Sequence, residues 1–219
     1  QIKRYNTFSD ADSVDHARFG ADLLFKDGLI STFLKGMVKC TGYKPGALED
    51  RYGSDGVFLY NKLNKSDMEM LELAIRCHNM YRIPQGLNRR EQAFCNVLRD
   101  ADKVDIFKVN IDTPLEEIYN TTTEELMKSD ITDEVLEAFG EEHCILKAIR
   151  RTPADTVIGH VSLAYELVYD ESVRITVEQG YLGKLMHFHS DNEETNRKMA
   201  MVREKMDSHV KKRIGKKDA

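Results

Sequence analysis

The sequence has few residues that interrupt helices and no long apolar run. Of its 219 residues only 4 are proline and 13 are glycine, which excludes collagen-like and linker-dominated architectures. No apolar stretch approaches the roughly 20 residues that a membrane-spanning helix needs, so we expect no membrane span. A hydrophobic content of 41% and a charged content of 32% exclude disorder as a description of the whole chain, which is long enough to bury a core.

The cysteines are scattered and the net charge is negative. Cys40, Cys77, Cys95 and Cys144 form no Cys-x-x-Cys pair and have no zinc-finger spacing to histidine, which argues against a structural zinc site. The sequence shows no signal-peptide pattern, so we expect reduced thiols without a disulfide and a cytoplasmic location. The net charge of -5 argues against a general nucleic-acid binder, whose surface would be basic.

Apolar residues recur every three or four positions along most of the chain. No segment long enough for a β-strand alternates between apolar and polar residues. This pattern predicts an all-α fold, organised as a single helical domain over residues 1–219. The glycine- and proline-containing region 41–64 is predicted to be a long loop. The predicted helices lie at residues 12–25, 29–38, 67–80, 88–107, 115–119, 124–127, 132–139, 153–168 and 192–213.

Three helix starts are marked by capping residues. Ser9 and Asp10 are the capping candidates for the helix predicted at 12–25. Ser66 stands three residues before Glu69, which is the spacing of a capping box, and Asn88 precedes the helix predicted at 88–107. The face that this last helix is predicted to bury consists of Ala93, Phe94, Val97, Leu98, Ala101 and Val104.

Three polar residues lie on otherwise apolar helical faces: His16, His78 and Asp102. An ionised carboxylate that faces a core is costly unless it is paired or bound to a metal, and neutral imidazole is a common ligand of divalent ions. Histidine and aspartate from separate helices of a bundle can converge on one ion. The alternatives are that the histidines are ordinary core or surface residues and that Asp102 pairs with Lys103 or Arg99.

Three segments resemble, in order, the motifs of the HD-domain superfamily of metal-dependent phosphohydrolases. They are residues 15–21 (DHARFGA), residues 74–79 (AIRCHN) and residues 98–105 (LRDADKVD). The similarity covers roughly residues 1–109, which corresponds to an HD-like core that lacks its N-terminal helices. Residues 151–155 (RTPAD) and the helix after them resemble one bacterial branch, within a helical extension at 110–219.

The resemblance implies an all-α phosphohydrolase whose metal ligands include His16, His78 and Asp102. Asp100 is the second choice for the aspartate ligand. A two-metal site polarises a phosphoryl oxygen and lowers the pKa of a bridging water, and mixed histidine and carboxylate ligation suits Mn, Fe, Co, Ni, Zn or Mg. The implied cofactor is therefore a divalent metal ion of open identity.

The namesake His-Asp pair of the family is absent from this sequence, because no histidine is followed by aspartate. In the family this pair lies just upstream of a segment that resembles residues 1–5 (QIKRY). The sequence begins with Gln1 and not with Met, so we expect the pair to precede it in a longer protein. If the pair is absent there too, the metal site is incomplete.

The expected function is hydrolysis of a phosphate ester, with a small nucleotide or phosphorylated metabolite as substrate. Lys103, Arg4 and Arg18 are near the implied ligands and are candidates for binding the phosphate, with solvated charge as the alternative for each. The second hypothesis is a catalytically inactive HD-like module that binds a nucleotide or acts in signalling, and the third is a plain helical interaction protein. The sequence leaves the substrate and the oligomeric state open.

The other histidines are expected to have structural roles. His160 lies in the apolar helix predicted at 153–168, where we expect a hydrogen-bonded core residue. His143 is expected at the surface, and His187 and His189 in a connection between helices.

Overall fold

The computed structural model of the protein describes residues 14–30, 32 and 65–215. Throughout these residues the regular structure is helical and contains no β-strand, so the predicted all-α class is confirmed. The loop predicted at 41–64 lies outside the described residues, as do Arg4 and Cys40. Within the described part of the chain, no helix is both long and apolar enough to cross a bilayer.

The chain divides into two compact units, and each is described by itself. The described residues up to Leu98 belong to the first unit, and those from Arg99 onward belong to the second. The boundary falls inside one long helix, Arg89–Asp112. The single domain expected over residues 1–219 stays a prediction.

Two helices of the first unit meet through small side chains. Helix α1 spans His16–Ala21 and continues as a π-helical segment, Asp22–Lys26, and helix α2 spans Lys65–Cys77. Helix α1 packs against α2, and Ala17 and Ala21 on α1 are completely buried. Because alanine adds only a methyl group, the two backbones can approach closely at this face.

Helix α3 spans Arg89–Asp112 and begins at the predicted cap, Asn88. The Asn88 side-chain oxygen accepts hydrogen bonds from two backbone N–H groups of the first turn, at 2.9 and 3.0 Å. In return the Glu91 carboxylate accepts from the Asn88 backbone N–H at 2.9 Å, which completes a capping box. The predicted capping role of Ser66 is wrong, because α2 already includes the residue before it.

The second unit continues from α3 with short helices and ends in a long one. These helices are α4 (Leu115–Tyr119), α5 (Thr123–Lys128), α6 (Asp133–Gly140), α7 (Pro153–Val161), α8 (Asp170–Gln179), α9 (Tyr181–Met186) and α10 (Glu193–Ile214). Two 3-10 turns flank α7, Lys147–Ile149 before it and Ser162–Glu166 after it.

One apolar cluster forms the core of the second unit, and α7 supplies much of it. The largest completely or almost completely buried side chains are Phe107, Phe139, Leu126, Ile131, Ile145, Ile158, Met199, Met206, Val135, Val157, Val161 and Val202. Thr152 and Asp155 form a capping box at the start of α7. The buried Asp155 carboxylate also accepts from the Thr132 backbone N–H at 2.8 Å, so it joins the starts of α6 and α7.

The buried face of α3 differs from the predicted one. Phe94 and Val97 are 40% and 58% exposed, whereas Cys95, Arg99 and Asp100 are buried. The prediction assigned burial from hydropathy. Charged side chains become buried where the surrounding structure offers them polar partners, which periodicity does not reveal.

The sequence pattern overestimates the length of the helix predicted at 153–168. It also does not predict helices α8 and α9. The α-helical part ends at Val161 and continues only as the 3-10 turn that follows. On α8 the apolar residues Ile175 and Val177 are 37% and 47% exposed. Exposed apolar residues blur the 3.6-residue period on which a helix prediction depends.

Candidate functional site

His16 is the first residue of α1, and the cap of that helix fixes its backbone. The Asp15 carboxylate accepts hydrogen bonds from the backbone N–H groups of Ala17 and Arg18, both at 3.1 Å. A carboxylate in this position satisfies amide groups that the first turn leaves without helical partners, and it interacts favourably with the helix dipole. The exposed His16 imidazole therefore projects from a well-defined helix start.

His78 follows the last residue of α2 and is held by a backbone contact. Its Nδ1 lies 2.7 Å from the Ile75 carbonyl oxygen. Because a carbonyl only accepts, Nδ1 must donate, and a neutral His78 then carries its lone pair on Nε2. A hydrogen bond from the second ring nitrogen to a backbone carbonyl is the arrangement that orients metal-binding histidines in proteins.

The two predicted histidines converge. His16 Nε2 and His78 Nε2 are 3.1 Å apart, and the ring centroids are separated by 5.1 Å at an interplanar angle of 60°. Two nitrogen ligands at about 2.0–2.1 Å from one tetrahedral ion are separated by roughly 3.3 Å. The spacing of the two nitrogens is thus close to what a shared ion requires, and it also suits an imidazole–imidazole hydrogen bond.

Polar contacts next to both histidines hold α1 against the end of α2. The Asn79 side-chain amide donates to the Asp15 carboxylate at 3.1 Å, which links the residues adjacent to His78 and His16. One turn away, the Arg76 guanidinium donates to the Asp22 carboxylate at 2.6 Å. The hydrogen bond from Arg76 holds the pKa of Asp22 below its usual range, and the same contact raises the pKa of Arg76.

The donor set for a metal is only partly present in the described residues. The imidazoles of His16 and His78 suit a first-row divalent ion. No group of three His, Cys, Asp or Glu side chains that could hold a metal occurs among residues 14–30, 32 and 65–215. The described residues therefore offer a divalent ion two nitrogen ligands, His16 and His78. They do not supply a third ligand that would complete a metal site.

The two candidate aspartates lie on the part of α3 that belongs to the second unit, and their environments differ. Asp102 is half-buried. Asp100 is 2% exposed, and its carboxylate accepts from the Val168 backbone N–H at 2.9 and 3.0 Å and from the Tyr169 backbone N–H at 3.0 Å. Asp100 thus binds the backbone that leads into α8, and the role of Asp102 as the aspartate ligand stays a prediction.

The candidate phosphate-binding residues also differ in environment. Arg18 is exposed, and its guanidinium lies 3.3 Å from the Asp15 carboxylate. Lys103 is buried in the second unit, and Arg4 lies outside the described residues. Of the three candidates, the structure therefore describes two: Arg18, whose guanidinium is exposed and paired with Asp15, and Lys103, whose ammonium group is buried.

Sequence reasoning missed the residues that orient the two histidines. Asp15 and Asn79 lie directly beside His16 and His78 in the segments that resemble the family motifs. A carboxylate immediately before a helix is a recognisable cap signal for Asp15. Asn79 has no such signal, because its partner is 64 residues away in the chain.

Comparison with protein-family models, with curated proteins and with solved structures finds no match to this chain.

Proposed function

We propose that this protein is a metal-dependent hydrolase of a phosphate ester, with a small nucleotide or phosphorylated metabolite as substrate. The observation that carries the proposal is the convergence of His16 Nε2 and His78 Nε2 at 3.1 Å. The two histidines come from chain segments 62 residues apart, and both belong to motifs that resemble the HD-domain superfamily.

In this proposal His16 and His78 hold a divalent ion of the Mn, Fe, Co, Ni, Zn or Mg group, and Asp102 is the aspartate ligand of the family resemblance. A bound divalent ion polarises a phosphoryl oxygen and lowers the pKa of a bound water. The Ile75 carbonyl keeps His78 Nδ1 protonated, and Asp15 sets the start of α1. Arg18, Arg4 and Lys103 are proposed to bind substrate phosphate, and the proposed location is the cytoplasm.

A second candidate function is a catalytically inactive HD-like module that binds a nucleotide or acts in signalling. The observation that favours it is that residues 14–30, 32 and 65–215 contain no three-donor metal group. Such a module would keep the helical fold and the paired histidines, and it would bind a nucleotide without hydrolysing it.

The test of the proposed function uses the full-length protein and its His78→Ala variant. The protein is loaded separately with each candidate metal, freed of excess ion, and its metal content is measured by plasma mass spectrometry. The same samples are assayed with p-nitrophenyl phosphate, its bis-ester and a panel of nucleotides. We expect bound metal and hydrolysis in the wild type, and a loss of at least about tenfold in both in His78→Ala.

His143→Ala is the matched control, because His143 is exposed and its ring lies beside Glu141. It should leave metal content and turnover unchanged. Asp102→Ala should remove metal and turnover while the far-ultraviolet circular dichroism stays that of the wild type. Wild-type metal content in His78→Ala would contradict the proposal, and nucleotide binding without any hydrolysis would favour the inactive module.

A further inference from the structure

A groove opens between α6 and α10 in the second unit. Its volume is about 490 Å³, which is within the range of small-molecule sites in proteins. The residues that line it lie between positions 136 and 142 on the side of α6 and between positions 201 and 208 on the side of α10. Of the described residues assigned above to the metal or to the substrate phosphate, none lines this groove.

Part of the groove surface is apolar. Phe139 and Val202 line the groove and belong to the buried core cluster of this unit. Met201 lines it as well and is 47% exposed, so its side chain is open to a ligand. A ligand whose apolar surface covers Met201 removes that side chain from water, which favours binding, and the flexible thioether adapts to different shapes.

Two carboxylates supply negative charge to the same groove, Glu142 and Glu204. Glu204 is exposed, and it forms no hydrogen bond or ion pair with another described residue. The Glu142 carboxylate lies 3.5 Å from His209 Nδ1. Burial lowers the pKa of His209, so this imidazole is neutral at pH 7 and does not cancel the charge of Glu142.

Lys205 is the only lysine or arginine among the described residues that line the groove. Its Nζ donates to the carbonyl oxygen of Gly140, the last residue of α6. The carbonyl groups at the C-terminus of a helix carry partial negative charge, which the Lys205 ammonium group offsets. Two carboxylates thus stand against one cation that already has a partner, and the lining has an excess of negative charge.

We propose that the groove between α6 and α10 binds a small organic ammonium ion. The apolar body of the ligand lies against Phe139 and Met201, and its positive charge is attracted by the carboxylates of Glu142 and Glu204. The same charges disfavour an anion, so the groove selects by the sign of the ligand charge. This site requires no metal. It goes beyond the metal-dependent hydrolysis proposed above, and the two are tested separately.

The probe is 2-phenylethylamine, which is an ammonium ion at neutral pH. Its binding to the full chain is measured by isothermal titration calorimetry, in EDTA and at constant ionic strength. The alcohol 2-phenylethanol has the same apolar body without the charge, and phenylacetate carries a carboxylate instead. We expect saturable binding of the ammonium ion and an affinity at least about tenfold lower for each analogue. Equal affinity for the amine and the alcohol overturns the proposal, and this comparison needs no substitution.

Glu142→Gln and Glu204→Gln keep the shape of the two side chains and remove their charges. Each should weaken the binding of 2-phenylethylamine by about threefold, and the double variant should weaken it by about tenfold. Glu137→Gln and Glu193→Gln are the matched controls, because these are exposed glutamates of α6 and α10 that do not line the groove. Both controls should bind the probe as the wild type does. Wild-type affinity in the double variant overturns the proposal.

Met201→Lys tests the apolar surface and distinguishes a ligand from a second copy of the chain. Because Met201 is exposed, the variant should keep the circular dichroism of the wild type, and its added charge should abolish binding of the probe. Sedimentation velocity of both proteins gives the oligomeric state. A monomer that binds the probe supports the proposal. A wild-type dimer that Met201→Lys dissociates, without binding of the probe, assigns the groove to a second copy and overturns it.

Discussion

At the scale of single residues, His160 shows how a polar group is buried without a partner. Its Nδ1 lies inside the second unit and has no hydrogen-bond partner, which differs from the hydrogen-bonded core residue expected from the sequence. Its ring lies 5.7 Å from that of Tyr119. Burial, and next the charges of Arg150 and Lys147, lower the pKa of His160 from 6.5 to about 3. The folded protein therefore keeps this imidazole neutral.

This pKa predicts a loss of stability in acid. Between pH 6.5 and about 3 the unfolded chain binds a proton at His160 that the folded chain does not, so stability falls as the pH falls through this window. The contribution of His160 should decrease by about 2 kcal/mol from pH 7 to pH 5. The measurement is the free energy of urea unfolding at the two pH values, in the wild type and in His160→Gln, which cannot titrate.

The variant should lose less stability than the wild type between these pH values. His143→Gln, at an exposed histidine, serves as the control and should retain the wild-type dependence. If His160→Gln and the wild type lose the same stability, the imidazole is protonated in the folded state or is accessible to water.

The sequence pattern singled out His16 and His78, but it did not predict where they lie in their helices. The pattern predicted helices at 12–25 and 67–80, whereas His16 begins α1 and His78 follows the end of α2, with the two Nε2 atoms 3.1 Å apart. The contact between Asn79 and Asp15 was not predictable, since hydropathy and spacing carry no information about a polar pair distant in sequence. The role of Asp102 as a ligand stays a prediction.

At the scale of helices, α3 shows why periodicity predicted the element and not its buried face. The cap at Asn88 and the spacing of apolar residues are local signals that predict a helix here, although α3 ends at Asp112 and not at residue 107. The burial of Asp100 depends on backbone amides 68 and 69 residues further along the chain, so no local signal contains it. Phe94 is exposed whereas Asp100 is buried, so the face of α3 that carries the apolar residues is not the face that is most buried.

The bond between Asp100 and the backbone before α8 yields a prediction for the two helices. Asp100→Ala removes the buried carboxylate that accepts from the Val168 and Tyr169 backbone N–H groups, and it should destabilise the protein by about 1–3 kcal/mol. Asp100→Asn keeps one acceptor oxygen and should recover part of the loss. The measurement is urea unfolding followed by circular dichroism, with Asp105→Ala, at an exposed position of the same helix, as the control.

This experiment also separates the two aspartate candidates. If Asp100→Ala unfolds like the wild type and loses bound metal, Asp100 is the ligand and its backbone role is secondary. A stability loss in Asp100→Ala together with retained metal supports Asp102 instead.

At the scale of the whole molecule, the described residues that form the apolar core of the second unit all lie after the unit boundary. The buried members of the core cluster run from Phe107 to Met206. Within this cluster Ile158 on α7 is completely buried. We expect a core whose described members all belong to one unit to form without the other unit.

A fragment of residues 88–219, which keeps the Asn88 cap of α3, should therefore unfold cooperatively in urea with native-like helical circular dichroism. Ile158→Ala should destabilise the fragment by about 2–5 kcal/mol, since it removes most of a completely buried side chain. The same substitution should cost the same free energy in the full chain, because the neighbours that lose contact are present in both. Val177→Ala, at a position 47% exposed, is the control and should change the stability of the fragment and of the full chain little.

Two outcomes would show that the first unit contributes to this core. One is a fragment that unfolds without a cooperative transition. The other is an Ile158→Ala effect that differs between the fragment and the full chain by more than about 1 kcal/mol.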